Sequence, residues 1–353
     1  MFSTKKRTYK QHYNEKDSFY KYSSPKFTQQ QALSENLNTD ICIVGGGLTG
    51  ISAALNLADQ GYNVCIVEAN QIGSGASGRN GGQLGIGMRK DQLYLENKFG
   101  FEKAEFFWNI GLDAVKNVTN LISKHNIDCA LKPGILHAGN TKKDYKFFLE
   151  EIEHMKSKYN YDNYEYFDEN AIKDEVNTDQ YYSGLLTKDS FHLNPLKLTY
   201  GLANQCLSKG IKIFENSPID KIEEKGNDIL LFSKNVVIKS KKVIIACNGY
   251  LDNLLGSVSN FFMPINNYII ATEPLGEKLA RQIIKRNCGV VDSRFMIDYY
   301  RFSEDHRLLF GGPETLTSKF VNNPVEFVSK RLFRVFPDLK NYKIDFSWGG
   351  TLA

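Results

Sequence analysis

The sequence predicts an α/β protein that opens on a β-α-β unit and continues through a longer mixture of helices and strands. Three observations carry this. Residues 40–46, DICIVGG, form an apolar run that ends in glycines. Residues 48–60 place Leu48, Ile51, Ala54, Leu55 and Ala58 at helical spacing, and Gly61 follows as a C-terminal cap. Residues 63–68, NVCIVE, form a second apolar run that ends in an acid. Continuous apolar runs on either side of a helix are the pattern of parallel strands covered on both faces.

Further helices are expected at 101–124, 142–159, 194–209 and 325–335. Asn194-Pro195 opens the third of these as N-cap and first-turn proline. Strands are expected at 131–139, 211–214, 219–223, 229–232, 236–239 and 242–247, and within 261–272 and 294–312. Residues 1–38 are polar and rich in Tyr, Lys and Gln; they read as a surface arm, with 18–22 the part expected to dock. At roughly 100–200 residues per domain, the length allows about two or three domains. No internal repeat or low-complexity linker is visible.

Composition excludes several functions. Forty-four Lys+Arg against forty Asp+Glu leave a net charge of +4 over 353 residues, too little for a nucleic-acid-binding surface. Hydrophobic residues at 42% and charged residues at 24% are those of a globular chain, not a disordered one. The N-terminus lacks the apolar core of a secretory signal, and no run is long and apolar enough to span a membrane, so the cytoplasm is the expected location. Cysteines 42, 65, 129, 206, 247 and 288 lack the close spacing of a metal or redox motif; they read as structural, and no metal site is expected.

The glycines that follow the first strand carry chemistry. Gly45-Gly46-Gly47-Leu48-Thr49-Gly50 has the G-x-G-x-x-G spacing. Gly45 makes the tight turn, Gly47 lets a pyrophosphate approach the backbone, and Gly50 lets the helix pack close to the sheet. Leu48 and Thr49 open that helix, whose N-terminal N–H groups and partial positive charge suit an anion. Glu68, followed by Ala69, ends the second strand, where it is placed to accept hydrogen bonds from a ribose diol. This pattern alone leaves NAD and FAD open.

An NAD-type domain would continue with another simple β-α unit. Residues 73–83, GSGASGRNGGQ, are instead a polar, glycine-rich loop with a single cation. Such a loop can lie along an extended dinucleotide through Ser77, Asn80 and Gln83, with Arg79 near the pyrophosphate and Gly81-Gly82 giving backbone contact to a flat ring.

The stretch TDICIVGGGLTGISAALNLADQGYNVCIVEANQIGSGASGRNGGQ resembles the N-terminus of the D-amino-acid-oxidase-type FAD-dependent oxidoreductases, and GASGRNGGQ is most similar to their gamma-glutamylputrescine oxidase branch. The resemblance continues in FHLNPLKLTYGLANQCLSKGIKIFENSPI, KKVIIACNGY, DYYRFSEDHRLLFGG and the final WGG. It implies a Rossmann-like FAD-binding domain, discontinuous over 39–95 and 190–260. It also implies an interleaved α+β substrate domain over 96–189 and 261–350, with a mixed or antiparallel sheet. FAD is expected to be non-covalent, because the GASGRNGGQ loop has no His and no Cys lies close to Trp348. By the family pattern, Ile219 touches the adenine through its backbone, and Asn248-Gly249 turns close to the cofactor. The resemblance also implies a further C-terminal segment that completes the flavin site, so the chain reads as truncated.

On the substrate side, Tyr300 and Arg301 point to opposite faces of a regular strand. The resemblance places an aromatic, and sometimes a cation, over the ring here, and Tyr300 ranks first. His192, just before a helix, is a candidate to receive an amine proton. Histidines 12, 125, 137, 154 and 306 are assigned no role. The expected reaction is oxidation of a C–N bond in a small amine or amino acid, with hydride passing to flavin, the imine hydrolysing, and electrons leaving to O₂ or an electron carrier. The alternatives are a truncated module that binds nucleotide without catalysis and an NAD(P)-dependent dehydrogenase.

Overall fold

The computed structural model describes residues 18–316 and 319–353. Most of the expected arm, residues 1–17 with His12, lies outside the described residues. The elements run in chain order as α1 (Phe19–Ser23), β1 (Leu37–Val44), α2 (Leu48–Asp59), β2 (Val64–Val67), β3 (Gln83–Leu84), α3 (Gln92–Phe99), α4 (Phe101–Lys124), β4 (Lys132–Gly139), α5 (Lys142–Tyr159), β5 (Tyr164–Phe167), α6 (Glu169–Glu175), β6 (Ser183–His192) and α7 (Pro195–Ser208). They continue as β7 (Lys212–Phe214), β8 (Lys221–Lys225), β9 (Asp228–Ser233), β10 (Val236–Ile245), α8 (Gly256–Ser259), β11 (Ile265–Thr272), α9 (Glu277–Ile283), β12 (Gly289–Asp292), β13 (Tyr299–Phe302), β14 (Leu308–Thr315), α10 (Pro324–Val335) and β15 (Ile344–Leu352).

Two sheets organise these elements. A six-stranded sheet runs β7-β2-β1-β10-β9-β8. Its first four strands are parallel, and β9 and β8 continue it antiparallel. Strands β1 and β2 are buried on both faces, which is why they read as unbroken apolar runs. Ile41, Ile43 and Ile66 pack towards α2 and α7, while Cys42, Val44, Cys65 and Val67 pack with Leu231 and Ile238 on the other face. Asn194 caps α7 as expected, with its side-chain oxygen accepting from Leu196 and Lys197 N–H at 3.1 Å.

The nine-stranded sheet runs β15-β11-β14-β13-β12-β4-β6-β3, with β5 also pairing to β6. Among the described residues, only the β12–β4 pair of this sheet is parallel. Its core is Tyr268, Ile270, Tyr300, Phe302 and Phe310 against Val328 and Leu332 of α10. Helix α1 docks where the sequence expects the arm to dock. Tyr20 is fully buried, with its ring 5.1 Å from that of Trp348 on β15.

The structure departs from the expected elements in informative places. The strands expected at 236–239 and 242–247 are one continuous strand, β10; Lys241 and Lys242 do not interrupt it, and Lys241 pairs with Asp228 at 2.5 Å. Strand β6, central to the larger sheet, is not expected from the sequence at all. Lys188 and Asp189 break its apolar pattern, and its partners are supplied by segments far away in the chain.

Candidate active site

Strand β1 and helix α2 meet at the glycines. Gly45 adopts φ +118°, and a Cβ there would stand 2.5 Å from the Ala246 carbonyl oxygen. A Cβ on Gly50 would stand 2.0 Å from the carbonyl oxygen of Gly45. Both glycines are therefore needed to close the turn. Gly47 differs: its φ of −92° suits any residue, and a Cβ would meet only the Ser77 side chain, with Oγ at 2.7 Å. Its missing side chain opens space instead of closing a turn.

That space is a cavity of about 150 Å³. Gly45, Gly46, Gly47 and Thr49 form one side. Glu68 and Ala69, from the end of β2, form the next. The loop residues Ser74 to Ser77 cover it, and Ser217, Ile219, Asn248 and Tyr250 close the far end. Gly47 caps α2 without a side chain, so the positive end of the helix faces this space. Leu48 N–H donates to Ser77 Oγ at 2.9 Å. The Glu68 carboxylate accepts from Gly46 N–H at 2.7 Å and Asn70 N–H at 2.9 Å. Burial pushes the Glu68 carboxyl above its ordinary pKa, against the pull of those two N–H groups.

A second cavity, of about 330 Å³, continues from the first, and Ala76 lines both. Arg79, Asn80, Gly81 and Gln83 form its loop side, and Asn267, Tyr299 and Glu314 stand opposite, from β11, β13 and β14. The Tyr299 ring lies against two glycines: a Cβ on Gly81 would be 2.6 Å from it, and one on Gly311 would be 2.3 Å away. Its hydroxyl donates to Asn267 Oδ1. Burial raises the phenol's pKa far above the ordinary value, so it remains a donor. A narrow crevice at a helix N-terminus that opens into a wider chamber has room for an extended dinucleotide. The helix N-terminus and Glu68 could hold phosphates and a ribose, and the side at Gly81 could take a ring.

The sequence candidates divide into groups. Gly45, Gly47, Thr49, Glu68, Ala69, Ser77, Ile219 and Asn248 line the first cavity, and Arg79, Asn80, Gly81 and Gln83 line the second. Leu48, Gly50, Gly82 and Gly249 line neither. Gly249 is pressed against Leu352, whose carbonyl carbon would be 3.0 Å from an added Cβ. Arg79, expected near the pyrophosphate, is placed otherwise. Its guanidinium bonds to the carbonyl oxygens of Ser74 at 2.7 Å and Gly349 at 3.2 Å, tying the loop to β15.

The three catalytic candidates line neither cavity. Tyr300 is 1% exposed on the core face of β13, with its hydroxyl 2.8 Å from that of Tyr181 and its ring stacked on Phe310. The neighbouring Tyr299 takes the cavity instead. Arg301 shares the Tyr299 face, but its guanidinium is committed to Gly81 O at 2.9 Å and Tyr20 OH at 3.1 Å, and it lines neither cavity. His192 is buried with Nε2 2.6 Å from the Asn287 carbonyl oxygen, which requires Nε2–H to be the donor. Burial, aided by the Arg301 charge, pulls its pKa down to about 3, so the ring stays neutral and is a poor acceptor for an amine proton near neutrality. Sequence reasoning missed Tyr299, Asn267 and Glu314. Nothing local marks them, because three separate strands bring them together.

A phosphate cradle opening into a chamber walled by a second, largely antiparallel sheet defines an oxidoreductase that carries a dinucleotide cofactor. The chain matches the DAO family, FAD dependent oxidoreductases, over residues 40–353, and it belongs to that family. FAD, not NAD(P), is therefore its dinucleotide, and the enzyme is of the type that acts on amines and amino acids. It is 35% identical over 335 residues to the gamma-glutamylputrescine oxidoreductase of Escherichia coli, covering 95% of this chain and 78% of that protein. It is 34% identical over 340 residues to the probable oxidoreductase OrdL of Haemophilus influenzae, with the same shares covered. Among solved structures, glycine oxidase from Geobacillus kaustophilus superposes with TM-score 0.73 at 17% identity, over 90% of this chain and 83% of that one. L-proline dehydrogenase from P. horikoshii gives 0.69 at 20%, over 90% and 82%. Among the described residues, no helix is long and apolar enough to cross a membrane.

Proposed function

We propose that this protein oxidises the C–N bond of a gamma-glutamyl amine or a related amine at its free amino end. The observation that carries the reading is the second cavity. On a largely apolar wall it presents the Glu314 carboxylate and the Tyr299 hydroxyl, and its one cation, Arg79, is tied to backbone carbonyls. Such a wall suits a cationic amine better than an amino-acid carboxylate, which in this chamber would find no uncommitted guanidinium. The similarity to gamma-glutamylputrescine oxidoreductase supports the same substrate class.

FAD, when bound, supplies a hydride acceptor for the carbon beside a neutral amine, leaving an imine that water hydrolyses. The chain's own residues have three tasks. Gly45, Gly47, Thr49 and Ser77 receive the pyrophosphate, and Glu68 takes the ribose. Tyr299 and Asn267 fix one wall of the chamber, and Glu314 draws the amine in. The six-stranded sheet thus carries the cofactor and the nine-stranded sheet the substrate. Non-covalent attachment is supported by Cys247, the cysteine that lines the first cavity; its thiol faces Val44 O at 3.5 Å, and burial pushes its pKa up to about 11. Flavin should therefore leave the protein on acid precipitation. Six unpaired cysteines support a reducing compartment, the cytoplasm.

The test is anaerobic bleaching of the FAD-loaded protein with gamma-glutamylputrescine, putrescine, sarcosine, glycine, L-proline and D-amino acids. The gamma-glutamyl amine should bleach fastest. Bleaching by amino acids alone would overturn the reading. Reoxidation of the bleached protein by air, set against a dye acceptor, separates O₂ from an electron carrier.

A further inference from the structure

A third cavity, of about 530 Å³, adjoins the second, and Gln83 lines both. Its floor is one face of the nine-stranded sheet. Ile135 and His137 of β4 lie in register with Thr187 and Leu185 of β6, so period-two alternation turns all four to the same side. Its roof is α5, where Phe148, Glu151 and Met155 recur at helical spacing and face inward. Trp108 of α4 closes one end, and Arg89 and Lys90 stand at its border.

One acid inside this chamber is unpartnered among the described residues. Glu151 makes no hydrogen bond or ion pair with any described residue, whereas its neighbour Glu150 pairs with Lys146. Burial, with the Asp91 carboxylate nearby, pushes Glu151 up to about 7. His137 supplies no compensating charge, since burial pulls it down to about 4 and leaves it neutral. Arg89 and Lys90 also line the chamber, but neither pairs with Glu151, and a half-buried acid left without a cation partner suits an ammonium group brought by a ligand.

We propose that this chamber holds the far end of the substrate, with Glu151 receiving an ammonium group there while the reacting amine lies on the other side of Gln83. The substrate is then a bifunctional amine, oxidised at one end and anchored by charge at the other. Arg89 and Lys90 at the border suit a carboxylate on the same far end. This rests on the reading that an amine is oxidised in the Tyr299 cavity.

The experiment uses FAD-loaded protein and four acylated putrescines: gamma-glutamyl (both charges on the far end), gamma-aminobutyryl (ammonium only), glutaryl (carboxylate only) and butyryl (neither). Removal of the ammonium should raise KM at least tenfold with kcat changed less than twofold. Glu151→Gln should raise KM for the two ammonium-bearing compounds to that level and leave the other two unchanged. Equal KM values for the gamma-glutamyl and glutaryl compounds, or an unchanged ranking in Glu151→Gln, would overturn the proposal. A second readout needs no turnover. Gamma-glutamyl methylamide, which lacks an oxidisable primary amine at that end, should perturb Trp108 fluorescence, and the signal should vanish in Trp108→Phe and require at least tenfold more ligand in Glu151→Gln. If no amine bleaches the flavin, the substrate reading fails, and this titration still decides the chamber: saturable binding lost in Glu151→Gln supports the site, and no binding removes it.

Discussion

The dinucleotide crevice and the chamber beside it are built by opposite means. The crevice is backbone: glycines, N–H groups and a helix end drawn mainly from residues 45–77. The chamber is side chain: Gln83, Asn267, Tyr299 and Glu314 arrive on strands that become neighbours only when the nine-stranded sheet forms. A backbone site leaves a dense sequence signature because few residue types permit it. A side-chain site spread over a sheet leaves none, and a shift of one residue along a strand exchanges the residue in the cavity for the one in the core.

The largest effect should come from the crevice. Gly47→Val places a branched side chain in the space beside Ser77, where the backbone itself is unstrained. The purified variant should lack flavin absorbance while its thermal unfolding matches that of the wild-type apoprotein. Flavin retained at wild-type stoichiometry would remove the crevice from the cofactor site. Gly45→Val is the contrasting change: its positive φ and its clash with the Ala246 backbone should cost the fold itself, seen as loss of soluble protein.

Glu68→Ala comes next. It removes the acceptor for Gly46 and Asn70 N–H as well as the proposed ribose contact. Charge-assisted hydrogen bonds are worth about 1.5–3 kcal/mol, so FAD affinity should fall roughly 10- to 150-fold, measured by flavin fluorescence on titration. Unchanged affinity would place the ribose elsewhere.

The paired tyrosines sharpen the comparison on the chamber side. Tyr299→Phe removes the hydroxyl that bonds Asn267 and should lower kcat/KM about tenfold, the size of one hydrogen bond of about 1.4 kcal/mol, with flavin content unchanged. Tyr300→Phe leaves the Tyr181 hydroxyl without its partner in the core. It should cost about 1 kcal/mol of stability in urea unfolding and leave kcat/KM alone. The reverse outcome would restore Tyr300 to the cavity.

What was legible follows the same division. The β-α-β unit, its glycines and Glu68 could be read because strand, turn, helix and acid are contiguous and each constrains residue type. The opposite facing of Tyr300 and Arg301 was legible from strand periodicity, but which face meets the cofactor was not. That depends on the pairing of β13 with β12 and β14, whose register places the Tyr299 ring over Gly311. His137 had no sequence context that set it apart from the other histidines. Its position over the third cavity comes from β6, the strand whose charged interior hid it.

The smallest effect on activity is expected at His192, where the wild-type pH dependence should separate stability from catalysis. Its Nε2–H bonds to Asn287 O, and burial holds its folded-state pKa near 3 against an ordinary 6.5. The unfolded chain therefore binds a proton from about pH 6.5 downward while the folded chain does not. Stability from this group is fully present above pH 6.5 and is lost as pH falls towards 3, with a slope of at most about 1.4 kcal/mol per pH unit. His192→Gln keeps a donor of similar reach and removes the titration. Its unfolding free energy should fall less steeply than wild type between pH 6.5 and pH 4, with some stability lost at neutral pH to poorer packing. Its kcat/KM profile from pH 6 to pH 9 should overlay the wild-type profile, because a neutral, buried imidazole contributes no titration there. Loss of a limb of that profile in His192→Gln would return the histidine to the reaction and would mean that the chamber reaches past Gln83 to the end of β6.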